Sequence, residues 1–122
     1  MRTIFKKIGG KEAVEATVDR FYEYMLDDDR VSHFFINVNM EKQRLHQAEF
    51  IAFALGADNG YAGKDMRSAH QHLVDNKGLN DEHFDATVEN LVKAMRDMKV
   101  PEEIIAEAGD VVESTRADVL CQ

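Results

Sequence analysis

The sequence predicts an all-α fold, and two observations support that prediction. Apolar residues recur at spacings of three and four in five separate stretches, which is the repeat of one face of an α-helix. The alternating pattern of a half-buried strand is nearly absent. The length of 122 residues suits one domain, and no linker, repeat or low-complexity stretch divides the chain. We therefore expect a single domain over residues 1–122.

The first predicted helix follows Gly9 and Gly10, which give the chain a flexible entry. Three aspartates at positions 27–29 end this helix. Its buried face comprises Val14, Val18, Phe21, Tyr22 and Met25. A short turn follows, and it carries Val31, Phe34 and Phe35.

The next two helices are marked by a cap and by glycines. Asn39 is typical of an N-cap, because its side-chain oxygen can accept a hydrogen bond from the first helical turn, and the helix is expected from Met40 to about Leu55. Three glycines within residues 56–63 predict a loop. Another helix is expected from about Asp65 to Asn76, and Gly78 follows its end.

The last two helices begin at a second asparagine cap and at the single proline. Asn80 predicts a helix whose buried face comprises Phe84, Val88, Leu91, Met95 and Met98. Pro101 suits the first position of a final helix that buries Ile104, Ile105, Ala108, Val111 and Val112. Residues 114–122 are polar enough to fray.

Composition excludes several classes of function. The chain carries 15 basic and 23 acidic residues, a net charge of −8, which argues against binding to nucleic acid or to an anionic membrane surface. No apolar run reaches the ~18 residues that span a bilayer, and no secretory signal is visible, so a cytoplasmic location is expected. The single cysteine, Cys121, excludes an internal disulfide and a cysteine-based zinc site.

Polar residues interrupt the apolar face of the helix after Asn39. Helical spacing places Gln43, His46 and Gln47 on one face with Phe50. Burying an unpaired polar group costs about 1–3 kcal/mol. Either these three side chains are solvated at a ragged helix face, or they form a pocket wall that directs hydrogen bonds at a ligand.

Two further residues leave similar alternatives. His70 shares an apolar face with Met66 and Leu73, so it is either a satisfied core histidine or a metal ligand whose second nitrogen donates to a carbonyl. Tyr22 adjoins Phe21 on a buried face, so its hydroxyl either finds a buried partner or reaches the surface.

The order of these residues resembles the truncated hemoglobins of the first group, in their cyanobacterial and protist type. Each motif is weak alone, but their joint order and spacing is specific and covers nearly the whole chain. The motifs are Gly9-Gly10, Phe21-Tyr22, Phe34-Phe35, Met40 to Gln47, Tyr61 to Lys64, Met66 to His70, Gly78-Leu79 and His83 to Ala86.

The resemblance implies a two-on-two α-helical sandwich around haem b. It makes His70 the proximal iron ligand, and it places His46 where some relatives coordinate iron in the absence of gas. Some cyanobacterial relatives carry a C-terminal histidine that bonds covalently to haem. Residues 114–118 hold no histidine, so non-covalent haem is expected.

The same resemblance assigns the remaining site residues. Hydrogen bonds to the gas ligand are expected from Tyr22, Gln43 and Gln47. Phe35 is expected to pack against the porphyrin. A porphyrin would also bury the apolar faces that carry Phe50, Met66, Leu73 and Phe84. Positions near the haem propionates are expected for Lys42, Tyr61 and Lys64.

Three functions remain open at this point. The first is binding of dioxygen, nitric oxide or carbon monoxide by a monomer that serves as carrier, store or sensor. The second is nitric oxide dioxygenation, or another redox detoxification, which needs a reductase partner. The third is a haem-free helical interaction module.

Overall fold

A computed structural model describes residues 3–56, 71, 74–75 and 77–120 of the chain. Within these ranges every regular element is a helix, so the all-α prediction is confirmed. None of these helices is both long enough and apolar enough to cross a membrane. Gln71, Val74, Asp75 and Lys77 are helical, in agreement with a helix near residues 65–76. The following predicted site residues lie outside the described ranges: Tyr61, Lys64, Met66, His70 and Leu73.

The chain begins with a short helix that the sequence analysis missed. Helix α1 spans Ile4–Lys7, and the hydroxyl of Thr3 caps it by accepting a hydrogen bond from the backbone N–H of Lys6 at 3.2 Å. Helix α2 spans Gly10–Asp27. Gly9 precedes it with a φ of 115°, a left-handed conformation that glycine adopts without a steric penalty. The left-handed backbone at Gly9 therefore explains why a glycine precedes this helix.

A 3-10 helix over Ser32–Phe35 joins α2 to α3, which spans Met40–Ala54. The Asn39 cap is confirmed, because its side-chain oxygen accepts a hydrogen bond from the backbone N–H of Lys42 at 3.2 Å.

Helix α4 spans Asp81–Asp97 and begins with the predicted asparagine cap. The side chain of Asn80 accepts hydrogen bonds from the backbone N–H groups of Glu82 and His83, at 3.0 and 3.3 Å. His83 Nδ1 accepts one in return from the backbone N–H of Asn80, at 3.1 Å. This reciprocal pair closes the first turn as a capping box.

The C-terminal segment differs from prediction in two places. Helix α5 spans Glu102–Glu113. Pro101 is therefore the N-cap of this helix, whereas the sequence predicts it as the first helical residue. A further helix, α6, spans Arg116–Val119, and Val119 and Leu120 are buried. The prediction of a frayed tail is therefore wrong for the described residues 114–120.

The core is organised around α2, which packs against both α3 and α4, while α4 also packs against α5. Val14, Val18, Phe21 and Tyr22 are each only 1% exposed, so α2 buries nearly all of its apolar face. Met98 was predicted on the buried face of α4, but it follows the end of that helix and is 41% exposed.

A buried amide ties the end of α2 to α4. Asn90 is 2% exposed, and its Nδ2 donates to Asp28 Oδ2 at 3.0 Å and lies 3.2 Å from Met25 Sδ. Asp28 also accepts two hydrogen bonds from the Arg30 guanidinium, at 2.8 and 3.0 Å. These bonds, those from Arg30 foremost, hold the pKa of the Asp28 carboxyl well below its usual range.

This pKa shift predicts a loss of stability in acid. A lowered folded-state pKa contributes stability above the unfolded-state pKa of about 3.9, and that stability is lost as pH falls through the lowered value. We expect the free energy of unfolding in urea to fall less between pH 7 and pH 3 in Asp28→Asn than in the unsubstituted protein. Asp29→Asn, at an exposed neighbour, is the matched control. Equal pH dependence in Asp28→Asn and the parent would contradict the prediction.

Candidate functional site

A cavity of about 270 Å³ lies between α2, the 3-10 helix, α3, α4 and the C-terminal segment. No described residue that lines it carries a formal charge. Aliphatic side chains from α3, α4 and the C-terminal segment contribute much of the wall, and α2 adds Met25. Five phenylalanines complete its apolar part: Phe21, Phe34, Phe35, Phe50 and Phe84. Such a lining suits a large apolar ligand that needs few polar contacts.

One corner of the cavity is polar, and it is formed by Tyr22 on α2 with Gln43 and Gln47 on α3. The amide Nε2 of Gln43 donates a hydrogen bond to Tyr22 Oη at 3.1 Å. Because Oη accepts this bond, the hydroxyl proton of Tyr22 remains free to donate to an atom in the cavity. The buried partner predicted for Tyr22 is therefore present.

The environment keeps Tyr22 protonated. The side chain is 1% exposed, and this burial raises the pKa of Tyr22 to about 12, although the Gln43 hydrogen bond and the charge of Arg44 act in the opposite direction. At neutral pH the phenol is therefore a hydrogen-bond donor and not an anion.

Two aromatic contacts fix the orientation of the Tyr22 ring. The ring of Phe21 lies 4.9 Å from it and that of Phe35 lies 5.5 Å from it, centroid to centroid, both edge to face. Such contacts stabilise a defined ring position in addition to the area they bury. Phe35 therefore lines the cavity and also positions its donor.

The other polar side chains of the lining differ in what they offer to a ligand. Gln47 is half-buried, and its amide makes no hydrogen bond within the described part of the chain. The hydroxyl of Thr87 donates to the backbone oxygen of His83 at 2.8 Å, and that of Thr115 donates to Val112 at 2.6 Å. The polar corner (Tyr22, Gln43 and Gln47) is therefore where a ligand can find donors.

The structure separates the residues that were predicted on one face of α3. Phe50 is 8% exposed and lines the cavity, as Gln43 and Gln47 do, but His46 is exposed and is not among the lining residues. Lys42 is also exposed. Among the described residues no group of three or more histidine, cysteine or carboxylate side chains could hold a metal ion.

Sequence reasoning placed Val112 on a buried helix face but missed Thr115 and Val119, which continue that face as a wall of the cavity. Val112, Thr115 and Val119 line the cavity at spacings of three and four, which continues the apolar face of the final predicted helix. The threonine and the acidic and basic neighbours obscured this periodicity.

Arg116 holds this wall against α4. Its guanidinium lies 4.5 Å from the centroid of the Phe84 ring, in a cation–π contact. It also donates to Asp81 at 2.8 Å, to Asp85 at 2.5 Å and to Glu113 at 2.7 Å. Because Phe84 lines the cavity, Arg116 couples a surface ion-pair network to the cavity wall.

The comparisons with known proteins decide the family. The profile of the bacterial-like globins matches residues 3–121. A group 1 truncated hemoglobin of Synechocystis is 48% identical over 124 residues, covering 100% of both chains, and one of Tetrahymena thermophila is 44% identical over 97% of this chain and 94% of its own. The chain belongs to the group 1 truncated hemoglobins.

The fold of this truncated hemoglobin matches a solved structure closely. The 2/2 hemoglobin of Synechococcus sp. PCC 7002, described with covalently attached haem, superposes with a TM-score of 0.92 at 41% identity, covering 99% of this chain and 100% of that one. The two-on-two globin fold is therefore confirmed. Haem b is the expected cofactor of this globin, and the described lining, which is aromatic and uncharged with one polar corner, fits a porphyrin.

The contacts of Arg116 with α4 predict that this residue holds α6 packed against the cavity wall. We expect Arg116→Ala to speed hydrogen exchange of the Val119 and Leu120 amides by about threefold to tenfold, since partly exposed ion pairs contribute ~0.2–1 kcal/mol each. Exchange is measured by NMR. Arg96→Ala is the control, because Glu102 is the one carboxylate that pairs with this arginine in the described part of the chain. Unchanged hydrogen exchange of these amides in Arg116→Ala would refute this role of Arg116.

Proposed function

We propose that this globin binds a diatomic gas, dioxygen foremost, at haem b held non-covalently in the cavity, with His70 as the iron ligand. The observation that carries the proposal is the hydrogen bond from Gln43 to Tyr22, which leaves a phenolic proton free inside a cavity whose described lining is uncharged. The family supports the proposal because its members are haem proteins of the globin class.

When bound, haem would supply an iron that can hold a small gas ligand. The described residues provide the rest of the site. Phe35, Phe50 and Phe84 offer apolar surface to the porphyrin, and Met66 and Leu73 are proposed to add to it. Lys42, exposed in the first turn of α3, is proposed to lie near the propionates with Tyr61 and Lys64.

The polar corner accounts for retention of the gas. Tyr22 donates a hydrogen bond to a ligand atom that carries partial negative charge, Gln43 holds the phenol in place, and Gln47 offers a second donor. Donors that are already oriented in a dry cavity stabilise such charge without reorganisation. A hydrogen bond of this kind contributes about 1–3 kcal/mol, which lengthens ligand residence about five- to hundredfold.

Non-covalent attachment is supported by the cavity wall. The C-terminal segment contributes Val112, Thr115 and Val119 to that wall, and none of the described lining residues is a histidine. Covalently attached haem is described for the Synechococcus 2/2 hemoglobin. We expect acidified organic solvent to extract haem fully from the present globin.

Removing the phenolic donor tests the function directly. We expect Tyr22→Phe to speed dioxygen dissociation about five- to hundredfold, measured by stopped-flow replacement with carbon monoxide. Tyr24→Phe is the matched control, because the Tyr24 hydroxyl donates to Asp97 at the surface, at 2.5 Å. Equal rates in Tyr22→Phe and the parent would overturn the proposed role. Sustained consumption of nitric oxide with a reductant would assign the enzymatic alternative.

The proximal ligand is tested by His70→Ala. We expect this variant to lose most of its haem on purification or to show an altered axial ligand spectrum, because the iron loses its protein ligand. His33→Ala, at an exposed histidine, is the control. A fully pigmented His70→Ala protein with an unchanged spectrum would overturn the haem assignment.

Coordination by His46 is a separate prediction. His46 is exposed and is not among the lining residues, so we expect its coordination to the iron to require a change in the position of α3. Such ligation lowers apparent gas affinity by the fraction of protein in the open state. We expect His46→Leu to raise the association rate of carbon monoxide in flash photolysis. An unchanged rate and ferric spectrum would show that His46 remains at the surface.

A further inference from the structure

A partly buried cation lies beside the polar corner. Arg44 follows Gln43 on α3, and its Nε lies 3.8 Å from Asp19 Oδ1 on α2. That Nε atom is buried and makes no hydrogen bond within the described residues. Arg44, Val18 and Asp19 line one small surface groove, which lies one helical turn before Tyr22. Glu15 and Glu41 line the same groove, but neither lies within ion-pair distance of the Arg44 guanidinium.

The charge of Arg44 is less neutralised than that of the other described arginines. Each of those four has a carboxylate oxygen within 2.9 Å, and they are Arg20, Arg30, Arg96 and Arg116. The only ion pair of Arg44 in the described part of the chain is the 3.8 Å contact with Asp19, whose side chain is 67% exposed. Solvent and distance therefore leave part of its positive charge uncompensated.

The uncharged cavity gives this residual charge influence over the polar corner. No described residue of the lining carries a charge that would mask it. The charge of Arg44 opposes the rise that burial causes in the pKa of Tyr22, so its field reaches the phenol oxygen. Arg44 thus acts on the group that is proposed to hold the gas, although it does not line the cavity itself.

We propose that Arg44 supplies a positive potential at the polar corner and so selects, among small ligands, those that carry or develop negative charge. Arg44 does not contact the ligand. Its charge affects the ligand through the electrostatic potential and through the Tyr22 hydroxyl, so it is a positioning residue. The inference rests on the proposed function, since the ligands concerned bind beside the polar corner.

The test compares an anionic and a neutral ligand on the haem-loaded protein. Azide binding to the ferric form and carbon monoxide binding to the ferrous form are titrated in Arg44→Gln, Arg44→Lys and Asp19→Asn. Each change is made on a His46→Leu background, which removes competition from that histidine. The C–O stretching frequency in the infrared gives a second readout, because it reports the local electrostatic potential.

The expected pattern depends on the sign of the charge. Arg44→Gln weakens azide binding about three- to tenfold and raises the C–O frequency, whereas Asp19→Asn strengthens azide binding and lowers that frequency. Arg44→Lys stays near the parent, carbon monoxide affinity stays within about twofold, and the azide effect shrinks in high salt because Arg44 is partly exposed.

Other outcomes overturn the proposal. If the Arg44–Asp19 pair is merely structural, Arg44→Gln and Asp19→Asn change azide and carbon monoxide affinity in the same direction. If azide affinity is equal in all variants while haem and carbon monoxide bind normally, the Arg44 proposal fails and the proposed function stands. A parent protein that binds no haem would refute the proposed function itself.

Discussion

The site depends on one hydrogen bond between two helices. Gln43 on α3 donates to Tyr22 on α2, and this bond fixes which way the phenolic proton of Tyr22 can point. In water such a bond would contribute little, but in a cavity whose described lining residues carry no charge an unsatisfied hydroxyl is costly and a directed one is effective. The same bond therefore holds α2 and α3 together and presents a donor to a ligand.

The charged networks of the fold lie around the cavity and not within its described lining. Asp28 with Arg30 fixes the end of α2, and Arg116 with its carboxylates fixes α6 over Phe84. Ion pairs at the surface keep their hydration, whereas burying them would cost more than the attraction returns. The ion pairs at the surface therefore fix the helices that form the cavity walls, and the described lining remains apolar enough for a porphyrin.

How far the sequence predicts the structure depends on whether a signal is local. The caps at Asn39 and Asn80 were predictable, because each acts within three residues of itself. The tail was mispredicted because Arg116 finds Asp81 and Asp85 at separations of 35 and 31 residues, which no local pattern reveals. Periodicity alone placed His46 beside Gln43 and Gln47, but only packing shows which of the three is exposed.

The overall charge and the local charge of this globin act on different scales. A net charge of −8 repels anions at long range, but salt screens that repulsion beyond about 8–10 Å at physiological ionic strength. Within the molecule the nearest incompletely neutralised charge dominates, because low-dielectric surroundings weaken its field less than water does. Arg44 lies on α3 directly after Gln43, so the potential at the polar corner is positive although the protein is acidic. Ligand selection at this site is therefore set by Arg44 and its partner Asp19 more than by the net charge of the chain.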